Sequence, residues 1–182
     1  DEVNGRIKEF IEVQLINLSQ DALDTAQALS YFYDGAAVEL LARVMDQDPG
    51  ALIQPLKGLN DRGIVGERAG GVLFFTHVKL REYLYALQPD SRKRLMHRKI
   101  GTLLETELEK KTGDTKDYSQ LAYHFSAAGN QLKSMKYRIA GLNRHLNFCH
   151  EIFPIACSGE EIESDFTHYI SREKIDMLFR NL

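Results

Sequence analysis

The chain has 182 residues, 43% hydrophobic and 27% charged, with a formal net charge of −3. That length suits one large domain or two small ones, with enough apolar content for a buried core. No apolar run approaches the roughly 20 residues that cross a bilayer, no basic-then-apolar signal peptide opens the chain, and the net charge supplies no global attraction for nucleic acid.

Val3, Ile7, Phe10, Ile11, Leu15 and Leu18 fall at helical spacing and predict a first helix. Ser19 reads as the N-cap of a second, with Asp21 and Asp24 near its positive end and Leu23, Ala26, Leu29 and Phe32 on its apolar face. Asp34-Gly35 breaks it, and Val38, Leu41, Ala42 and Met45 predict a third helix. Asp48-Pro49-Gly50 is a further stop and start, with Pro49 suited to a first helical turn. The fourth helix carries Leu52, Ile53, Leu56 and Leu59 and ends at Arg62-Gly63, glycine taking the C-terminal cap. The period then changes. Ile64-Val65 and Val72-Leu73-Phe74-Phe75 are β-prone runs joined across Gly70-Gly71, so a two-stranded hairpin is expected. Short helices followed by such a hairpin have the order of a winged helix-turn-helix; the alternative is a plain helical domain decorated by one hairpin.

A helix is expected from His77 to Leu87, and another opened by Pro89 with Met96, Ile100, Leu103, Leu104 and Leu108 on one face, ending at Thr112-Gly113-Asp114. Residues 117–128 and 131–148, parted by Gly129-Asn130, read as an antiparallel helical hairpin. The acidic stretch Glu160, Glu161, Glu163 and Asp165 leads to a last amphipathic helix with Ile175, Leu178 and Phe179. The fold class expected is mainly α with a small β-hairpin wing: a winged-helix-like domain over residues 1–87 and a helical domain of antiparallel hairpins over 88–182. A start at Asp1 without methionine, and an end at Leu182 inside a helix-like pattern, read as a fragment of a longer chain.

The hairpin resembles a tetratricopeptide repeat, a motif that places bulky and small residues at fixed offsets so that two helices nest. Tyr118, Leu121, Ala122 and Phe125 fill first-helix positions; Ser134 and Gly141 fill small positions of the second, with Tyr137 near the aromatic one. Leu146 stands where the repeat-ending proline would be. The resemblance implies further repeats after Leu182 and a protein- or ligand-binding surface, for which Tyr118, Phe125, Tyr137 and Arg138 are the candidates.

A larger pattern runs from Leu56-Lys57-Gly58-Leu59-Asn60-Asp61-Arg62-Gly63-Ile64-Val65 through Phe75-Thr76-His77 and Arg81-Glu82-Tyr83-Leu84-Tyr85. It continues through Arg92, Leu95 and His97-Arg98-Lys99-Ile100 to Leu121-Ala122-Tyr123-His124-Phe125 and Ala128-Gly129. Residues 19–148 thereby resemble the arm that follows the ATPase core in signal-transduction ATPases with numerous domains. That family includes the large maltose-regulator-type and LuxR-like transcription activators of bacteria and, more distantly, plant resistance and apoptotic ATPases. The resemblance implies a non-catalytic regulatory arm whose upstream partner domain binds ATP or ADP. It also implies that His77, at a strand-to-helix junction, contacts the nucleotide phosphate in the parent protein; Val78 stands where the family often has an acid. No phosphate-binding Gly-x-x-x-x-Gly-Lys-Ser/Thr loop occurs within the chain, so no cofactor is expected in the fragment itself.

Other readings follow from single motifs. A lone winged helix could place its fourth helix in the major groove, where Gln54, Lys57, Asn60 and Arg62, with Arg68 from the wing, would meet bases and phosphates; Asp61 and Glu67 oppose that charge. Arg92-Lys93-Arg94 with Arg98-Lys99 is a phosphate or acidic-partner contact, or the solvated face of a helix. His145, Cys149, His150 and Cys157 have zinc-ligand chemistry, but their spacing fits no common finger. Cys149 and Cys157 on one helix would stand about 12 Å apart, too far for a disulfide, so reduced thiols and a cytoplasmic setting are expected. Ser171 three residues before Lys174 reads as an N-cap, since the companions of a nucleophile motif are missing. No acid–base or Ser/His/Asp set assembles from the residue spacing.

Overall fold

The computed structural model describes residues 13–110 and 113–152, with side chains through His145. The predicted first helix (apart from residues 13–15, which are helical), the Cys149 and Cys157 side chains, the acidic stretch, Ser171 and the last helix lie outside what is described. Packing divides the chain into two compact units, Asp1–Leu142 and Asn143–Leu182; the description below concerns the first. No described helix is long and apolar enough to cross a membrane.

Helix α1 (Gln20–Leu29) starts where Ser19 accepts a hydrogen bond from the Ala22 N–H at 3.2 Å. Its inward stripe of Ala22, Thr25, Ala26 and Leu29 is small at three of four places, which lets the next helices approach closely. After Tyr31 and Phe32, both buried, the chain turns at Gly35, whose φ of +92° belongs to glycine. A short strand β1 (Ala36–Ala37) follows, then α2 (Val38–Met45), which buries Leu41, Ala42 and Val44. Asp48 accepts from the Gly50 N–H at 2.8 Å and starts a 3-10 turn, Pro49–Leu52, that runs into α3 (Ile53–Asp61). Glycine closes α3 as expected: Gly63 has φ +65° and Ile64 N–H bonds back to Leu59 O at 2.9 Å.

Strands β2 (Val65–Arg68) and β3 (Val72–Phe75) pair antiparallel with Val65 opposite Phe75 and Arg68 opposite Val72. The expected two-stranded hairpin is in fact three-stranded. Ala36 and Ala37 pair with Leu73 and Val72, giving the order β1-β3-β2. Two alanines carry no β signature of their own. They are held because Gly35 lets the backbone lie against Leu73 O, which a Cβ at that position would meet at 2.1 Å.

Helix α4 (Val78–Ala86) buries Leu80 and Leu84. Helix α5 (Asp90–Leu108) ends earlier than the expected stop at Thr112 and buries His97, Ile100 and Gly101. Helix α6 (Thr115–Ala127) begins two residues before the expected 117. Asp114 and Asp117 form a reciprocal capping box at 2.8 and 3.0 Å. Helix α7 (Gln131–Ile152) runs beyond the expected 148. The larger core gathers Leu29, Tyr31, Leu41, Leu59, Leu84 and Ile100, and the smaller one Leu121, Ala122, Phe125 and Tyr137. Leu104 packs against both, so apolar packing continues across residue 87. Ile53, expected on an apolar face, is 63% exposed in the first turn of α3. The chain is mainly helical with a small antiparallel sheet.

Candidate functional site

His77 occupies the N-cap of α4 with an extended backbone, φ −125° and ψ 116°. Its carbonyl accepts from Leu80 N–H at 3.1 Å, while its imidazole makes no capping hydrogen bond. The ring is exposed at the sheet-to-helix junction. Thr76 holds the junction: its N–H and its hydroxyl both reach Ile64 O, at 3.1 and 3.2 Å. The residue before His77 is thus tied to the start of the sheet, which fixes where the ring emerges.

On α3, Gln54, Lys57 and Asn60 are exposed at three-residue spacing and share one side of the helix. Arg62 does not join them. Its guanidinium donates to the carbonyls of Gln14, Ile16 and Asn17, closing the end of the preceding helix. Arg68 lies over the Phe74 ring, 4.5 Å from its centroid. Between α3 and the sheet runs a groove of about 530 Å3 lined by Val38, Leu56, Lys57, Asn60, Val65 and Glu67. Its apolar floor and the carboxylate of Glu67 oppose a phosphate backbone. Of the five side chains expected to meet DNA, two already have partners within the fold.

The residues expected to form a protein-binding surface on the hairpin are mostly interior. Phe125 and Tyr137 are 2% and 5% exposed and stack with centroids 5.7 Å apart at 14°. Tyr118 is half-buried against the same cluster, and Arg138 alone of the four is exposed. The reason is the nesting itself. Ser134 donates to Ala122 O at 2.9 Å, and a Cβ on Gly141 would stand 3.1 Å from Tyr118 Cβ, so α6 and α7 meet too closely to leave the large rings outside. Tyr137 Oη donates to Glu105, which also takes Lys133 Nζ at 2.6 Å. Burial by itself would raise the Glu105 pKa, but the hydrogen bonds from Lys133 and Tyr137 outweigh it and hold the carboxyl below its usual value. Burial and the bonded carboxylate push the Tyr137 phenol up.

The most concentrated chemistry lies where the spacing of residues gave no warning. His97 on α5 and His124 on α6 are 0% and 2% exposed, with their Nδ1 atoms 2.9 Å apart. Tyr85 Oη lies 3.0 Å from His97 Nε2. Tyr31 and Tyr123 meet the His97 ring edge-on at 5.3 and 5.4 Å, and Phe32 meets His124 at 5.7 Å. Burial pushes His97 down to about 4. Burial, with the neighbouring His97, holds His124 lower still, at about 3. Both rings are therefore neutral near pH 7, and one donates its Nδ1 proton to the other. The cluster joins the turn after α1, and α4, to α5 and α6. His124 also lines a cavity of about 380 Å3 with Tyr33, Gly35, Lys116, Ser119 and Tyr123. Lys116 Nζ lies 2.9 Å from Asp34 Oδ2, and that hydrogen bond, with the lysine charge, lowers the Asp34 pKa. The sequence shows both histidines inside its motifs, yet their meeting depends on how α5 and α6 pack. Among the described residues no group of three or more His, Cys, Asp or Glu gathers as a metal would require. No family model matches this chain, and neither the curated proteins nor the solved structures contain a match.

Proposed function

We propose that this chain is a non-catalytic regulatory and protein-interaction module, the arm of a larger signal-transduction ATPase or transcriptional regulator. The carrying observation is the order helix, strand, helix, helix, strand, strand with the sheet arranged β1-β3-β2. Such an order is that of a winged helix, and it leads directly into α4 with His77 at its cap. The hairpin of α6 and α7, nested through Ser134 and Gly141, supports a tetratricopeptide-like reading of the part that follows. In this reading His77 approaches the phosphate of ADP or ATP held by an upstream domain. An imidazole donor and the free N–H groups of a helix start both favour an anion there. The arm then relays the nucleotide state by contacting one state better than the other. In this reading the histidine pair is structural: His97 Nδ1 faces His124 Nδ1, and His97 Nε2 faces Tyr85 Oη.

His77→Ala in the full-length parent tests the reading. Faster ADP release, with unchanged secondary structure, is expected; unchanged ADP retention overturns the sensor role. The rival reading, a winged-helix DNA binder, rests on the exposed row Gln54, Lys57 and Asn60. It requires duplex binding that weakens steeply with salt and with Lys57→Ala, measured by fluorescence anisotropy. We expect no sequence-selective binding, because Arg62 and Arg68 are engaged within the fold.

A further inference from the structure

We propose that the cleft between α1, α2 and α5 binds a small organic anion: a carboxylate or phosphate group carried on an apolar body. The cleft measures about 710 Å3, within the roughly 300–1,000 Å3 of small-molecule sites. One face of α5 supplies Arg92, Leu95, Met96 and Lys99 at spacings of three, four and seven residues; Ala28 comes from α1, Tyr31 from the turn that follows it, and Val44 and Met45 from α2. Two methionines make an adaptable wall, and Leu95 is 63% exposed beside them. The proposal concerns this cleft alone and stands whether or not the parent protein carries an ATPase.

Two independent observations point to an anion. The first is the charge that remains after internal pairing. Lys99 is paired with Asp46, while Asp24, the other acid of the lining, accepts from the neutral amide of Gln20 at 2.8 Å and keeps its negative charge, so the lining carries one positive charge in excess. Arg92 and Arg98 also line the cleft, and among the described residues neither has a carboxylate within ion-pair distance. Two exposed guanidiniums on the lining of a partly apolar cleft are donors suited to an oxyanion.

The second observation is Tyr31. Its side chain is 1% exposed, lines the cleft, and its hydroxyl is the buried side-chain polar atom left without a hydrogen bond among the described residues. Native interiors rarely leave such a group unpaired, and a partner is then sought among the chain's own groups, water or a ligand. Burial raises the phenol pKa while the Arg92 charge acts against that rise, which puts the guanidinium and the phenol in the same field. A ligand oxygen beside the Arg92 guanidinium would accept from Tyr31 Oη.

Isothermal titration of the 182-residue chain with phenyl phosphate, octanoate and inorganic phosphate is the test, the first two distinguishing a phosphate from a carboxylate headgroup. Saturable one-to-one binding of phenyl phosphate or octanoate is expected, at least about ten-fold tighter than inorganic phosphate. Arg92→Gln and Arg98→Gln should each weaken it by about five-fold or more. Tyr31→Phe should weaken it too while leaving the melting temperature of the free chain unchanged or raised, because it removes an unpaired hydroxyl. The proposal is overturned if neither amphiphile saturates at millimolar concentration, or if inorganic phosphate binds equally well, which marks an adventitious ion only. It also fails if binding is indifferent to both arginines, or if Tyr31→Phe lowers the melting temperature and leaves affinity unchanged.

Discussion

His97 and His124 can hold a single Nδ1 proton between them, because their Nδ1 atoms are 2.9 Å apart and a second proton would set two donors face to face. His97→Ala would leave Tyr85 Oη and His124 Nδ1 without partners and open a void. It should cost about 2–4 kcal/mol, read as a lower urea midpoint. Tyr85→Phe removes one hydrogen bond and keeps the packing, so about 1 kcal/mol is expected. Little of this was legible in the sequence. Each histidine could be seen at a motif position, but they lie 27 residues apart and only the packing of α5 on α6 unites them. The aromatic side chains of the hairpin were legible as to kind and not as to side. Phe125 and Tyr137 stand at nesting positions, and nesting drew them inside, so a surface built on them fails for the same reason that the hairpin forms.

Helices were legible wherever apolar spacing, a cap and a glycine stop agreed, as in α1 with Ser19 and α3 with Gly63. Strand β1 was not, because two alanines have no period and their pairing with Leu73 and Val72 is non-local. The element nonetheless has a single point of failure. Gly35→Ala places a Cβ 2.1 Å from Leu73 O at φ +92°, and both the clash and the backbone strain act against β1. The variant should lose about 2–4 kcal/mol, with faster hydrogen exchange at the amides that pair Ala37 with Val72. Between α5 and α6 the tolerance is narrower than the apolar pattern suggests. A Cβ on Gly101 would lie 3.2 Å from the Phe125 ring, so Gly101→Val should cost about 1–3 kcal/mol by overpacking, again measured by urea denaturation.

For the molecule as a whole the two neutral imidazoles set a dependence on pH. Folded-state values of about 4 for His97 and about 3 for His124 lie below the ordinary 6.5. The unfolded chain therefore takes up protons that the folded chain refuses, and stability must fall as pH falls. The contribution is fully present above pH 6.5, begins to fall there, and goes on falling through about 4. By pH 5 each ring should remove on the order of 1–2 kcal/mol. Glu105 is held below 4.5 and adds its loss only in stronger acid. Urea midpoints taken between pH 7 and 5 should therefore drop in a window that precedes carboxylate titration, and a flat profile would contradict the buried neutral pair.

The same cluster also makes the chain an optical instrument. There is no tryptophan and there are eight tyrosines, so the intrinsic emission of the protein is tyrosine emission alone. Three of those phenols, Tyr31, Tyr85 and Tyr123, stand against the His97 ring. Tyr85 lies within hydrogen-bond distance of its Nε2; in the tautomer that leaves Nε2 without a proton, an excited phenol there passes its proton to the base instead of emitting. Separation of α4 from α5 would restore that light. A rise in tyrosine emission, with no added label, would then time the opening of this contact, and Tyr85→Phe would identify which phenol had been dark.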